Sequence, residues 1–189
     1  NDKTYCFWSR REDAITKDFA PLASHSWTKI GIDQQTPQKI APLTYYHINS
    51  LDLYSSAKNI LALHEGLFLN TAVKGFITAE STVIETEGGS YEGEVIYDGR
   101  PPSQEDSNPS YQNILQSFIG YKIKLNGKKL DPTACTLMDF NVDQQEQTQF
   151  IYVLPFSDDT ALVELTRFGS DPISEIPSKQ ILDNYIKTH

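Results

Sequence analysis

Gln149-Phe150-Ile151-Tyr152-Val153-Leu154-Pro155-Phe156-Ser157-Asp158-Asp159-Thr160-Ala161-Leu162-Val163-Glu164-Leu165-Thr166-Arg167 holds two strand-like runs around a short polar turn. β-branched and aromatic residues crowd both arms, and Ser157-Asp158-Asp159 has the length and chemistry of a tight reversal, so the arms are expected to pair antiparallel. Upstream, residues 114–125 and 134–142 have the same character, and the four runs together predict the heart of a sheet.

Working outward, residues 26–32 and 45–48 read as further strands, with a polar connector over 34–39. Residues 4–8 are short and aromatic, and 9–18 read as a loop or short helix. Ser50 opens a helical pattern that places Leu53, Ala57, Ile60 and Leu61 three and four residues apart, with Asp52 in the first turn where the helix dipole favours a carboxylate; it is expected to end near Gly66. Residues 67–71, 75–79, 82–86 and 93–97 predict a β meander broken at Gly88-Gly89, and 100–109, rich in Pro, Ser and acids, an exposed loop. A closing helix over 174–186 tolerates Pro177 in its first turn. The expectation is α+β: a largely antiparallel, mixed sheet covered by a few helices, as a single domain over residues 1–189.

Composition narrows the function. Hydrophobic residues make up 39% of the 189 and charged residues 22%, which describes a folded chain. A net charge of −9, with no basic run beyond Arg10-Arg11 and Lys128-Lys129, argues against nucleic acid as a partner. No stretch reaches the roughly 20 apolar residues of a spanning helix. Cys6 and Cys135 read as reduced thiols in a cytoplasmic setting, since the one Asn-X-Ser acceptor, Asn108-Pro109-Ser110, carries a disqualifying proline. The sole methionine is Met138 and the first residue is Asn1, so the sequence reads as a piece cut from a longer protein.

Glu164 is the first residue to question. Strand alternation puts Leu162, Glu164 and Thr166 on one face and Ala161, Val163 and Leu165 on the other, leaving a carboxyl among apolar neighbours. In a dry site it would stay protonated near neutral pH and serve as a general acid; on a wet face it is an ordinary surface charge. Asp139 interrupts an apolar run in the same way, and two carboxyls facing one pocket can share a proton, whereas alone Asp139 reads as a salt bridge or strand-end cap. His25, His47, His64 and His189 have no metal-ligand spacing, so no metal is expected. Gly88-Gly89-Ser90-Tyr91-Glu92-Gly93 has the wrong spacing and setting for a dinucleotide fingerprint. Phe118, Phe140, Phe150, Tyr152, Phe156 and Phe168 fit either an elongated apolar pocket or plain core packing.

Seven stretches taken together resemble the bacterial lycopene cyclase family of flavoproteins. They are Lys3-Thr4-Tyr5-Cys6-Phe7-Trp8, Ser24-His25-Ser26-Trp27, Val95-Ile96-Tyr97-Asp98-Gly99-Arg100, Leu115-Gln116-Ser117-Phe118-Ile119-Gly120, Leu137-Met138-Asp139-Phe140-Asn141-Val142-Asp143-Gln144, Phe150-Ile151-Tyr152-Val153-Leu154-Pro155-Phe156-Ser157 and Val163-Glu164-Leu165-Thr166. The resemblance implies the β-rich substrate domain inserted in hydroxylase-like FAD flavoproteins, with the flanking FAD-binding segments absent from this chain. It implies a non-redox reaction in which an acid protonates the end of a linear carotene and the cation closes a ring, assisted by reduced FAD with NAD(P)H as reductant. Neither flavin binding nor turnover is expected of the chain alone.

Glu164 matches the family's essential acid in a Phe-Leu-Glu-Glu-Thr type motif, which here reads Leu162-Val163-Glu164-Leu165-Thr166, with Leu165 in place of the second acid. Asp139 is the second catalytic candidate, sharing the proton or fixing the pocket. Asp98 and Arg100 match a loop near the flavin and are the candidate cofactor contacts, with stabilisation of a turn as the alternative role. The partners implied are a linear carotene, the FAD-binding segments and the periphery of a membrane. Two alternatives stand beside this reading: the substrate domain of a related FAD-dependent monooxygenase, and a non-catalytic module that binds an apolar ligand.

Overall fold

The computed structural model of the chain describes residues 5–64, 66–78, 82–100, 114–127 and 129–189. It opens with β1 (Tyr5–Arg10), α1 (Ala14–Phe19), a 3-10 turn (Ala20–Leu22), β2 (His25–Trp27), β3 (Lys29–Gly31), β4 (Gln38–Lys39) and β5 (Leu43–Ile48). The middle holds α2 (Ser50–Leu63), β6 (Val73–Thr78), β7 (Thr82–Thr86) and β8 (Ser90–Gly93). The last stretch is β9 (Leu115–Lys124), β10 (Ala134–Asp139), β11 (Thr148–Pro155), β12 (Thr160–Gly169) and α3 (Glu175–Thr188).

The hairpin forms as expected. β11 and β12 pair antiparallel with Tyr152 opposite Glu164, and β9 lies on the far side of β12 with Gly120 opposite Glu164. β10 runs antiparallel to β11 and β3 parallel to β10, giving the order β4-β3-β10-β11-β12-β9. The α+β, mostly antiparallel mixed sheet therefore matches the expectation.

Both faces of the centre of this sheet are covered, whereas on β9 Gln116, Phe118, Gly120, Lys122 and Lys124 are exposed. Ala161, Val163 and Leu165 alternate to one side and are buried; Val163 and Leu165 join Ile151 against Leu182 and Tyr185 of α3. The opposite face carries Leu154, Cys135 and Leu137 against Trp27, which is fully buried and donates its indole N–H to the Pro155 carbonyl at 2.8 Å. Trp27 belongs to the three-stranded sheet β1-β5-β2, held in place by pairs such as Trp8 with Tyr45 and His25 with His47. Burial of side chains this large, worth about 2 to 3 kcal/mol each, holds the layers together.

Three local expectations are corrected. The run 26–32 is two strands in different sheets, because the N–H groups of Thr28 and Lys29 both donate to the Thr133 carbonyl and the chain changes sheets there. Residues 67–71 form no strand: Asn70 takes a left-handed φ of 55° and the Leu69 carbonyl accepts the Thr71 hydroxyl, so a turn leads into β6. Residues 94–97 form no strand: the last strand of the meander is β8, which pairs with β7 from Ser90 to Gly93. Of the expected exposed loop, residues 101–109 lie outside the described residues, as do Lys3, Thr4 and Lys128.

Contacts divide the chain, read from sequence as one domain, into two compact units: residues 1–53 with 112–189, and residues 54–111. The second unit contains most of α2 and the antiparallel sheet β6-β7-β8. Of the apolar stripe read on α2, Leu53 is half-buried and Ala57, Ile60 and Leu61 are exposed.

One irregularity in β10 bears on the chemistry. Thr136 faces Val153 and Asp139 faces Ile151, so three steps along β10 match two along β11, and Met138 bulges out with φ 58°. A side chain in that region is strained, and β-branching makes it worse. Met138→Gly is therefore expected to leave stability unchanged or raise it by up to about 1 kcal/mol, and Met138→Val to lower it by about 1 to 2 kcal/mol, read from urea midpoints.

Candidate active site

β12 presents Leu162, Glu164 and Thr166 to the face that meets the β1-β5-β2 sheet. There Cys6 of β1, Tyr45 of β5, Gln116 and Phe118 of β9, and Tyr152 and Leu154 of β11 join Glu164 and Thr166 around a cavity of about 350 Å³. Glu164 is half-buried, and among the described residues its carboxyl has no hydrogen-bond or ion-pair partner. Loss of hydration is then uncompensated, and burial pushes its pKa above the usual glutamate value.

The surroundings reinforce this. Burial drives the Cys6 thiol up to about 11 against a weaker opposing hydrogen bond with Tyr45, with Glu164 adding to the rise. The Tyr45 phenol is raised mainly by burial, and so is that of Tyr152, with Glu164 contributing to the latter. Every titratable group lining the cavity is thus shifted toward its neutral form, and Glu164 is the one carboxyl among them.

The two candidate acids do not meet. Asp139 shares its face with Ile151, packed against α3, while Glu164 points to the other side of the same sheet. The Met138 bulge is the cause: without its extra residue Asp139 would alternate with Cys135 and Leu137, toward Trp27. Asp139 is instead 1% exposed and fully engaged, accepting from the Tyr185 hydroxyl at 2.6 Å, the Asn141 amide side chain at 2.7 Å and the Asn141 backbone N–H at 3.0 Å. Burial raises its pKa, but these hydrogen bonds outweigh it and the net shift is downward, so Asp139 is an ionised tether between sheet and α3. The expectation of a proton shared with Glu164 is corrected accordingly.

Asp98 and Arg100 lie in the second unit and close on each other. Arg100 donates from Nε to Asp98 Oδ1 and from Nη2 to Asp98 Oδ2, both at 2.9 Å, and its guanidinium sits 4.8 Å from the centre of the Phe76 ring. The pair lowers the Asp98 pKa and raises that of Arg100.

The aromatic candidates divide. Phe118 and Tyr152 line the cavity, Phe150 packs in the sheet with its ring 5.3 Å from that of Phe140, and Phe156 packs beside Trp27 and His47. Sequence reasoning missed Cys6 and Tyr45 as lining residues, since both come from the other sheet. It also passed over Gly120, although a glycine midway along a strand-like run signals a close approach.

The Glu164 carboxyl gives a prediction that needs no substrate. Its pKa is raised on folding, so the unfolded chain ionises first as the pH climbs and the folded state loses stability from the ordinary glutamate pKa up to the raised one. Glu164→Gln removes this loss. The variant is expected to unfold at higher urea concentration than wild type at pH 8, with the difference vanishing below about pH 4.

With this geometry in place, comparison with known proteins is informative. The family model described as lycopene cyclase protein matches residues 1–189. A lycopene beta-cyclase of Pseudescherichia vulneris is 32% identical over 171 residues, covering 87% of this chain and 42% of that protein. A lycopene beta-cyclase of Pantoea ananas is 27% identical over 165 residues, covering 85% and 41% respectively. The chain thus spans about two fifths of the length of these relatives. Among solved structures, a geranylgeranyl bacteriochlorophyll reductase-like protein of Thermoplasma acidophilum shares the fold, with a TM-score of 0.54 at 13% identity over 96% of this chain and 51% of that one. By the full-length match of its family model, the chain belongs to the lycopene cyclase family.

Proposed function

We propose that this chain is the carotenoid-side portion of a lycopene cyclase of carotenoid biosynthesis, with Glu164 as the acid that starts ring closure. The observation that carries the proposal is a carboxyl of raised pKa, without a partner among the described residues, in a cavity lined by Cys6, Tyr45, Gln116, Phe118, Tyr152, Leu154 and Thr166. An alkene is a weak base, so its protonation needs a neutral carboxylic acid in a site from which water is kept.

Glu164 gives its proton to the terminal carbon–carbon double bond of a linear carotene. The electron pair of a neighbouring double bond then closes a six-membered ring onto the cationic carbon, and a proton leaves a carbon beside the new cationic centre. The Glu164 carboxylate, now the one carboxylate lining the cavity, takes that proton and is restored. Substrate and product are isomers, so no redox equivalent is consumed. The rings of Tyr45, Tyr152 and Phe118 offer apolar faces that tolerate a passing cation.

Reduced FAD, kept reduced by NAD(P)H, would stabilise that cation when bound. The residues described here do not by themselves fit a dinucleotide, because the charges of Asp98 and Arg100 are spent on each other. In this reading Asp98 and Arg100 border the flavin, other segments of the protein hold it, and Asp139 keeps α3 docked on the sheet. Contact with the periphery of a membrane belongs to the same reading, since the substrate is insoluble in water; no helix among the described residues is long and apolar enough to cross one.

The test is carotenoid composition in lycopene-accumulating cells that express the full-length protein. Wild type is expected to yield cyclic carotene, and Glu164→Gln to lower that yield by roughly 100-fold or more with fold and flavin content retained. Unchanged product from Glu164→Gln would remove the acid, and acyclic carotene alone from a folded, flavin-loaded wild type would remove the cyclase.

A further inference from the structure

We propose that Gly120 is a positioning and specificity-determining residue: its bare backbone seats the Glu164 stem and leaves the space in which a substrate terminus meets the carboxyl. The inference rests on Glu164 as the acid, and goes beyond it by assigning a second position that controls access to that acid.

Gly120 stands in the middle of β9, flanked by Ile119 and Tyr121, directly across from Glu164. Glycine within a strand costs about 0.5 to 1 kcal/mol relative to alanine, so its presence here needs a local reason. Its backbone φ lies outside the left-handed range, and conformation is not that reason. Space is. A Cβ at position 120 would lie 3.1 Å from Glu164 Cβ, 3.1 Å from the Val163 carbonyl oxygen and 3.2 Å from Leu162 Cδ1. Cross-strand Cβ atoms ordinarily sit roughly 4.5 to 5.5 Å apart, so any side chain would press on the Glu164 stem.

The same face of β9 supplies Gln116 and Phe118 to the wall of the cavity that Glu164 lines. A branched terminal alkene is wider than an extended polyene, and it is this end that must reach Glu164. Enlarging position 120 moves the acid and narrows its approach at once. On its other side Glu164 faces Tyr152 of β11, whereas Gly120 is exposed.

Gly120→Ala in the full-length protein tests this in two ways. Cyclisation of a linear carotene is expected to fall at least tenfold in kcat, with a fold and flavin content like those of wild type. Independently of turnover, the stabilisation that Glu164→Gln gives at pH 8 is expected to shrink by at least half in the Gly120→Ala background, because a displaced carboxyl is rehydrated. Wild-type kcat together with an undiminished Glu164→Gln effect would overturn the proposal. If wild type proves not to be a cyclase, the stability cycle still judges whether Gly120 seats Glu164, so the two failures are told apart. If Gly120→Ala does not fold, Gly120→Ala/Leu162→Ala, which removes the Cδ1 atom in the way, carries the same measurements; a double variant that also fails to fold assigns Gly120 to sheet packing and overturns the proposal.

Discussion

The structure turns on a half-buried carboxyl group, that of Glu164, which has no hydrogen-bond or ion-pair partner among the described residues. β12 lies between β11 and β9, so each of its side chains must face either α3 or the β1-β5-β2 sheet. Its α3 face is closed by Val163 and Leu165. Its other face holds the half-buried Glu164 beside the phenols of Tyr45 and Tyr152, the Cys6 thiol, Gln116, Thr166 and hydrocarbon, with no cation paired to it among the described residues. A fold selected only for stability would place an apolar residue or a paired charge there. The cost falls at one position and is offset by the apolar burial of Trp27 on one side of the sheet and Leu182 on the other.

Asp139 shows how differently the same chemical group behaves nearby. It is more deeply buried than Glu164, yet it has a phenol, a side-chain amide and a backbone N–H aimed at it. Hydrogen bonding to the charged form outweighs desolvation, and the carboxyl is ionised. Burial alone therefore does not make an acid; burial without donors does. One sheet thus holds a carboxyl of lowered pKa on its α3 side as a structural tether and one of raised pKa on its other side.

What could be read from sequence follows from what alternation encodes. The hairpin, the mixed sheet and the closing helix were legible because strand chemistry and Ser157-Asp158-Asp159 pointed the same way, and the neighbours of Glu164 followed from a period of two. The side on which Asp139 falls was not legible, since the bulge at Met138 shifts the period and methionine, unlike glycine or asparagine, gives no sign of a left-handed backbone. The switch of sheets at Thr28 was hidden for the same reason: it depends on the carbonyl of the distant Thr133. Cys6 and Tyr45 reach the cavity only through packing of one sheet on another, which no local pattern records. Family resemblance singled out Glu164 as the acid, and alternation placed apolar neighbours beside it; Gly120 was visible as a glycine in a strand, but its reason required the register with β12.

Family membership and physical chemistry meet at one atom group, and the most direct measurement is the titration of that group. Carboxyl 13C resonances of selectively labelled glutamate, assigned by comparison with Glu164→Gln, would follow Glu164 in the full-length protein across the pH range. A midpoint displaced upward from the ordinary glutamate value is the predicted result, and a Glu164 that titrates like the exposed glutamates would contradict the account of a neutral acid held in an apolar cavity.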